Sequence, residues 1–124
     1  MKHSEGFLRL VHDAKNHVKE CTVDDVWKLR QSGRPFVLVD VREDTEWAKG
    51  HAEGAVHLGR GVLERDIEKS IPDRETEIVL YCGGGFRSAL AAESLAKMGY
   101  KHVTSMDGGF RAWLEAGMPV EKDG

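Results

Sequence analysis

At 124 residues, with 31% charged side chains and a formal net charge of −3, the chain is long enough for one hydrophobic core and lacks the basic surplus that nucleic-acid binding requires. No apolar stretch approaches membrane-spanning length, and Met1 to His12 carries charges inside its apolar pattern, which makes it a poor secretory signal. Cys21 and Cys82 stand too far apart to suggest a disulfide framework or a Cys-x-x-Cys motif, so the expected setting is reducing and cytoplasmic.

Phe7, Leu8, Leu10, Val11, Ala14 and Val18 recur at helical spacing, which predicts an amphipathic helix over Glu5 to Lys19. Thr22-Val23-Asp24-Asp25 has the spacing of a capping box and opens a second helix, ending near Gly33. Phe36 to Val41 reads as a buried strand. Asp44-Thr45-Glu46 caps a short helix through Trp47, stopped at Gly50, and Ala55 to Leu58 reads as a short strand. Val62 to Glu68 reads as a helix ended by Pro72, and Ile78 to Tyr81 as the next buried strand. Ser88 to Met98 is a helix closed by Gly99, His102 to Met106 a strand, and Gly109 to Ala116 a last helix closed by Gly117. The polar tail, Glu121 to Gly124, is expected to fray. Strands alternating with helices give an α/β fold with a mainly parallel sheet. Ligands bind such sheets beyond the carboxyl ends of the strands, where Asp40, Cys82 and Asp107 fall.

The segment Cys82-Gly83-Gly84-Gly85-Phe86-Arg87 carries the chemistry. Glycines let successive backbone N–H groups turn inward as an anion-holding nest, and the helix opening at Ser88 adds partial positive charge there. A thiol so placed is expected to ionise readily and act as a nucleophile. A guanidinium matches a sulfonate or carboxylate with paired hydrogen bonds, so Arg87 is expected to hold the oxyanion end of a substrate. Phe86 stands either at the rim of the site or over the helix start. Cys21, beside a helix cap and without a glycine loop, reads as a packing residue. His51 and His57 are poorly spaced for a metal on one element and read as structural, and Trp47 and Trp113 read as core.

Three blocks together resemble the single-domain rhodanese family: Asp40-Val41-Arg42 with Glu46-Trp47 and Gly50 to Leu58; the loop Cys82 to Arg87; and Asp107-Gly108-Gly109-Phe110-Arg111-Ala112-Trp113 with Gly117 to Val120. The resemblance spans Thr22 to Val120 and implies a three-layer fold in which helices flank a mainly parallel sheet, with residues 22–124 as the domain and 1–21 as a helical extension packed on it. It implies a sulfurtransferase: Cys82 attacks the outer sulfur of a donor such as thiosulfate, keeps it as a persulfide, and passes it to cyanide or a thiol without metal or organic cofactor. Gly83, Gly84, Gly85, Phe86, Arg87 and Ser88 would bind the donor, and Asp40 with Arg42 would brace the loop. The implied partners are a small donor and acceptor or a sulfur-accepting protein, with no nucleic acid and no membrane, the chain acting as a monomer or weak dimer. Thiosulfate-using members often carry a basic residue just after the cysteine, where this chain has Gly83. The mercaptopyruvate branch has glycine there but continues with a hydroxyl residue, where this chain has Gly84. Two other readings compete. One is a persulfide carrier or docking module. The other is a cysteine-loop phosphatase or arsenate reductase, whose loop is one residue longer than the four residues between Cys82 and Arg87.

Overall fold

A computed structural model of the chain describes residues 3–122. Its elements run α1 (Glu5–Lys15), β1 (Lys19–Cys21), α2 (Val23–Gln31), β2 (Val37–Asp40), α3 (Asp44–Ala48), β3 (His51–Ala52), β4 (Val56–His57), α4 (Leu63–Ser70), β5 (Glu77–Tyr81), α5 (Phe86–Lys97), β6 (His102–Met106), α6 (Gly109–Glu115) and β7 (Val120–Glu121). Five strands form one sheet in the order β1-β6-β5-β2-β4, every neighbouring pair parallel, while β3 and β7 pair antiparallel at the side.

The alternation within β5 sorts the core onto two faces. Ile78 and Leu80 join Val39, Val41 and Val103 beneath Leu63 and Ile67 of α4 and Ala91, Ala92 and Leu95 of α5. Val79 and Tyr81 point the other way, joining Leu38 and Met106 against Val23 and Val26 of α2 and Trp113 of α6. The result is a three-layer α/β sandwich, as expected, with a core on each side of the sheet.

The amino terminus departs from the helix expected over Glu5 to Lys19. The first helix stops at Lys15, where Asn16 returns its N–H to the carbonyls of Asp13 and Ala14. Lys19–Cys21 then forms the edge strand, in register with Thr104 to Met106. A three-residue edge strand bearing Lys19 and Glu20 has no apolar alternation to announce it. Other boundaries move by a residue or two. The helix after the cysteine loop begins at Phe86 rather than Ser88, and α4 runs to Ser70 before Ile71, non-helical ahead of Pro72, ends it. Thr22 makes the expected capping box with Asp25. Of the tail expected to fray, Glu121 is paired in β7, and Asp123 and Gly124 lie outside the described residues.

Candidate active site

Parallel register sets Asp40 beside Tyr81, and Val41 N–H donates to the Tyr81 carbonyl at 2.9 Å, so Asp40, Val41, Arg42 and Cys82 meet at one end of the sheet. Asp107 follows the end of the next strand, β6. A cleft of about 460 Å3 lined by Arg34, Phe36, Glu77 and His102 lies at the opposite, amino-terminal ends of the strands and contains no cysteine.

The loop after β5 closes around the Cys82 sulfur. Gly85 N–H donates to Sγ at 3.2 Å and Ser88 N–H at 3.4 Å, and Ser88 Oγ lies 3.5 Å away. Ser88 Oγ in turn pairs with Ser105 Oγ at 2.8 Å. Cys82 is only 1% exposed, so the sulfur sits on the floor of the loop with polar donors on its inner side. The three glycines do different things. Gly85 adopts φ +97° as the residue before α5, a conformation that side chains resist. At Gly83 a Cβ would come within 3.1 Å of Arg87 Nη2, while at Gly84, on the exposed tip, it would meet nothing.

The loop is gripped from its carbonyl side by the first turn of α6. Phe110 N–H donates to the Cys82 carbonyl at 2.7 Å and Arg111 N–H to the Gly83 carbonyl at 3.1 Å. Contact is so close that a Cβ on Gly109 would fall 2.4 Å from the Cys82 oxygen. The glycine pair Gly108-Gly109 is therefore part of the site architecture, a role the sequence reading did not assign.

Asp40 and Arg42 form a buried ion pair. Arg42 donates from its backbone N–H at 2.8 Å, from Nε at 3.0 and 3.1 Å and from Nη2 at 2.7 Å, and Nη2 also reaches the Gly50 carbonyl at 2.7 Å. Burial opposes the guanidinium charge, and Asp40 outweighs it. The planar group lies 4.3 Å from the centre of the Phe110 ring, which ties the pair to the start of α6 and through it to the cysteine loop. Tyr81, whose hydroxyl accepts from Ala52 N–H at 3.0 Å, is held in its neutral form by burial and by the charge of Asp40.

Arg87 reaches the mouth of the loop but is already engaged. Nη1 donates to Glu46 Oε1 at 2.7 Å and Nη2 to Oε2 at 3.0 Å, a two-pronged pair between half-buried groups. Arg87 holds the Glu46 carboxyl below the usual carboxylate range, and Glu46 raises Arg87. Phe86 is half-buried, 5.0 Å from the ring of His3 and 6.2 Å from that of Phe7, with Lys15 Nζ 5.4 Å from its centre, so α1 and the residues before it lie over the outer flank of the loop. Lys15 also pairs with Asp107 at 3.4 Å.

The remaining candidates fall outside the sulfur's surroundings. Burial, with Asp25, Glu20 and Asp107 nearby, pushes the Cys21 thiol up to about 12, in keeping with a packing role. Trp113 is buried, whereas Trp47 is half-buried, with the rings of His51 at 3.4 Å and His57 at 4.9 Å stacked on it, a correction to its reading as core. His57 Nε2 bonds the Arg42 carbonyl at 2.8 Å and His51 Nδ1 lies 3.2 Å from the Trp47 carbonyl. Among the described residues no cluster of histidine, cysteine and carboxylate side chains could hold a metal ion, and no helix is long and apolar enough to cross a membrane.

The Rhodanese-like domain family profile matches residues 22–116. Thiosulfate sulfurtransferase GlpE of Haemophilus influenzae is 35% identical over 103 residues, covering 83% of this chain and 94% of that protein. Among solved structures, a Rhodopseudomonas palustris protein of unknown function, named a possible tyrosine phosphatase, superposes with a TM-score of 0.86 at 33% identity over 98% of both chains. The homodimeric polysulfide-sulfur transferase of Wolinella succinogenes superposes with a TM-score of 0.80 at 33% identity, over 95% of this chain and 88% of that one. By sequence blocks, sheet order and family profile alike, the chain belongs to the rhodanese-like domain family.

Proposed function

We propose that the protein is a sulfurtransferase that carries a sulfane sulfur from a donor to a thiophilic acceptor as a persulfide on Cys82. The observation that carries the proposal is the pair of backbone N–H groups, Gly85 and Ser88, aimed at the sulfur at the end of β5. These donors favour negative charge on sulfur, whether thiolate or persulfide, without a proton-accepting side chain. The kinship with a thiosulfate sulfurtransferase supports the reaction class.

With thiosulfate as donor, the Cys82 thiolate forms a bond to the outer sulfur while the sulfur–sulfur bond of the donor breaks and sulfite leaves with the electron pair. Cyanide or a thiolate then takes the terminal sulfur, giving thiocyanate or a new persulfide and restoring the thiolate. Two half-reactions through a covalent intermediate give ping-pong kinetics. The free state of both Cys21 and Cys82 fits a reducing, cytoplasmic compartment.

A phosphatase reading is less well supported. The loop places four residues between Cys82 and Arg87, and the arginine that would clamp a phosphate is paired with Glu46. The test is a panel of sulfane donors and an aryl phosphate, run on the wild type and on Cys82→Ser, with peptide mass spectrometry after donor exposure. Expected are sulfur transfer by the wild type alone and one added sulfur atom on the Cys82 peptide, none on Cys21. Aryl-phosphate hydrolysis without sulfur transfer, or equal transfer by both proteins, would overturn the assignment. Added sulfur with negligible turnover to cyanide would make the protein a carrier that serves a protein acceptor.

A further inference from the structure

Building on the sulfurtransferase reading, we infer that Glu46 is a specificity-determining residue: it occupies Arg87 and biases the site toward sulfane donors with an uncharged carrier end, such as the persulfide of a neutral thiol, and against dianionic thiosulfate. The loop itself offers no basic side chain between Cys82 and Arg87. Arg87 is thus the cation placed to receive a sulfonate, and both of its outer nitrogens already face the Glu46 carboxylate.

Glu46 is not a loosely tethered partner. It stands at the third position of α3, where its Oε1 also accepts the Glu43 N–H at 2.9 Å in a reciprocal capping arrangement. Swinging away to release Arg87 would forfeit that bond together with the two-pronged pair. The pair also lies over the loop, since a Cβ on Gly83 would stand 3.1 Å from Arg87 Nη2 and 3.9 Å from Glu46 Oε2. An incoming sulfonate would meet a carboxylate at the distance where like charges repel.

Of the other cations near the loop, Arg42 and Lys15 are matched, while Arg111, whose N–H holds the Gly83 carbonyl, is exposed on α6. Arg42 is neutralised by Asp40, and Lys15 lies 3.3 Å from Glu20 and 3.4 Å from Asp107. Paired charges thus dominate the mouth, and charge attraction contributes little to donor capture.

A persulfide donor requires no sulfonate clamp. The Cys82 thiolate bonds to the terminal sulfur of R–S–SH, the original sulfur–sulfur bond breaks, and R–S⁻ departs with the electron pair. Cys82 is left as Cys82–S–SH. Sulfur is passed on with no net oxidation or reduction and no further reactant.

The test is steady-state kinetics of wild type and Glu46→Gln with thiosulfate and with the persulfide of mercaptoethanol, thermal melts alongside. Glutamine keeps the length and an oxygen for the Glu43 N–H, so the melting temperature should fall only slightly. Because both groups of the pair are about a third exposed, the expected effect is modest: the thiosulfate KM falls about fivefold at nearly constant kcat, and the persulfide KM does not move. Calorimetric binding of thiosulfate to Cys82→Ser and to Cys82→Ser/Glu46→Gln gives the same comparison without turnover, with about fivefold tighter binding in the double variant. A thiosulfate KM that rises, or stays put while binding also stays put, would show that Glu46 orients Arg87 for the donor or is idle, and the inference fails while the sulfurtransferase reading stands. A wild type inert toward every donor would instead remove the reading on which it rests. Should Glu46→Gln melt early, the binding measurement repeated at a temperature where both proteins are folded decides the matter.

Discussion

The N–H of Phe110 donates to the carbonyl of Cys82 across 2.7 Å, so the nucleophile's own peptide group is held by the first turn of α6. The N–H groups of Gly85 and Ser88 point inward at sulfur, while the carbonyls of Cys82 and Gly83 point outward into a neighbouring helix start. Each side satisfies groups that a buried turn would otherwise leave unpaired.

Gly109→Ala follows directly from this contact. A methyl there would stand 2.4 Å from the Cys82 oxygen and 2.8 Å from the Gly83 carbonyl carbon and oxygen, at a φ of +55°. Backbone on both sides leaves no flexible group to yield, so either α6 or the loop must move. Expected are a loss of about 2–3 kcal/mol in urea unfolding and a fall of at least about tenfold in kcat. Gly84→Ala, at the open tip, is the control, with stability changed by less than about 0.5 kcal/mol. A Gly109→Ala variant as active as wild type would show that the grip does not set the loop's shape.

The buried Asp40–Arg42 pair should behave as a brace. Removing Asp40 leaves a guanidinium that is 5% exposed with its charge uncompensated. Asp40→Ala should cost about 3–5 kcal/mol in chemical unfolding, and the loss should exceed that for Glu46→Gln, whose pair is far more exposed. Activity should fall with stability, because Arg42 lies against Phe110 and Phe110 carries the Cys82 carbonyl. If the two variants unfold at the same urea concentration, burial does not distinguish the pairs as argued.

Much of this arrangement was legible in the chain. The strand-end positions of Asp40, Cys82 and Asp107 followed from apolar runs of the right length, and the glycines after Cys82 announced a turn, of whose three glycine amides Gly85 donates to the sulfur. What could not be read was long-range. Ser105 lies in a different strand from Cys82, at a position that looks like an ordinary residue of β6, and only the register of β5 with β6 brings it under Ser88. The role of Gly109 depends on how closely α6 approaches the loop. Pairing of Arg87 with Glu46 joins residues on α5 and α3, for which local periodicity gives no signal. The strands β1, β3 and β7 were missed because two or three residues, paired at an edge, carry no pattern.

Acid should unfold the protein through its paired carboxylates. Arg87 lowers Glu46, the Thr22 N–H and hydroxyl lower Asp25, Arg65 lowers Asp66, and Lys101 lowers Glu75. In each case the unfolded chain takes up the proton at higher pH than the folded one. The stabilisation is therefore present above the ordinary carboxylate range and is lost as pH falls through it and below. Unfolding midpoints measured from about pH 7 down to about pH 3 should hold level and then decline below about pH 4.5. Glu46→Gln should show a shallower decline, having lost one of the groups responsible. Stability that rises on acidification over this range would contradict the assignment of these pairs.

Ser88 and Ser105 supply the last test, because their hydroxyls form a buried line that ends at the sulfur. Ser88→Ala removes the hydroxyl 3.5 Å from Sγ but keeps the backbone N–H that donates to it, so transfer should weaken without disappearing. A fall of about tenfold in kcat/KM corresponds to the loss of one hydrogen bond to a charged group. Ser105→Ala leaves Ser88 free to rotate its hydroxyl and should cost less, about two- to threefold, although both serines are buried and each change leaves a neighbour without its partner. The double variant distinguishes a line from two separate effects. If Ser105 acts through Ser88, the double variant should be no slower than Ser88→Ala alone, whereas multiplied losses would mean that Ser105 reaches the sulfur site by another route.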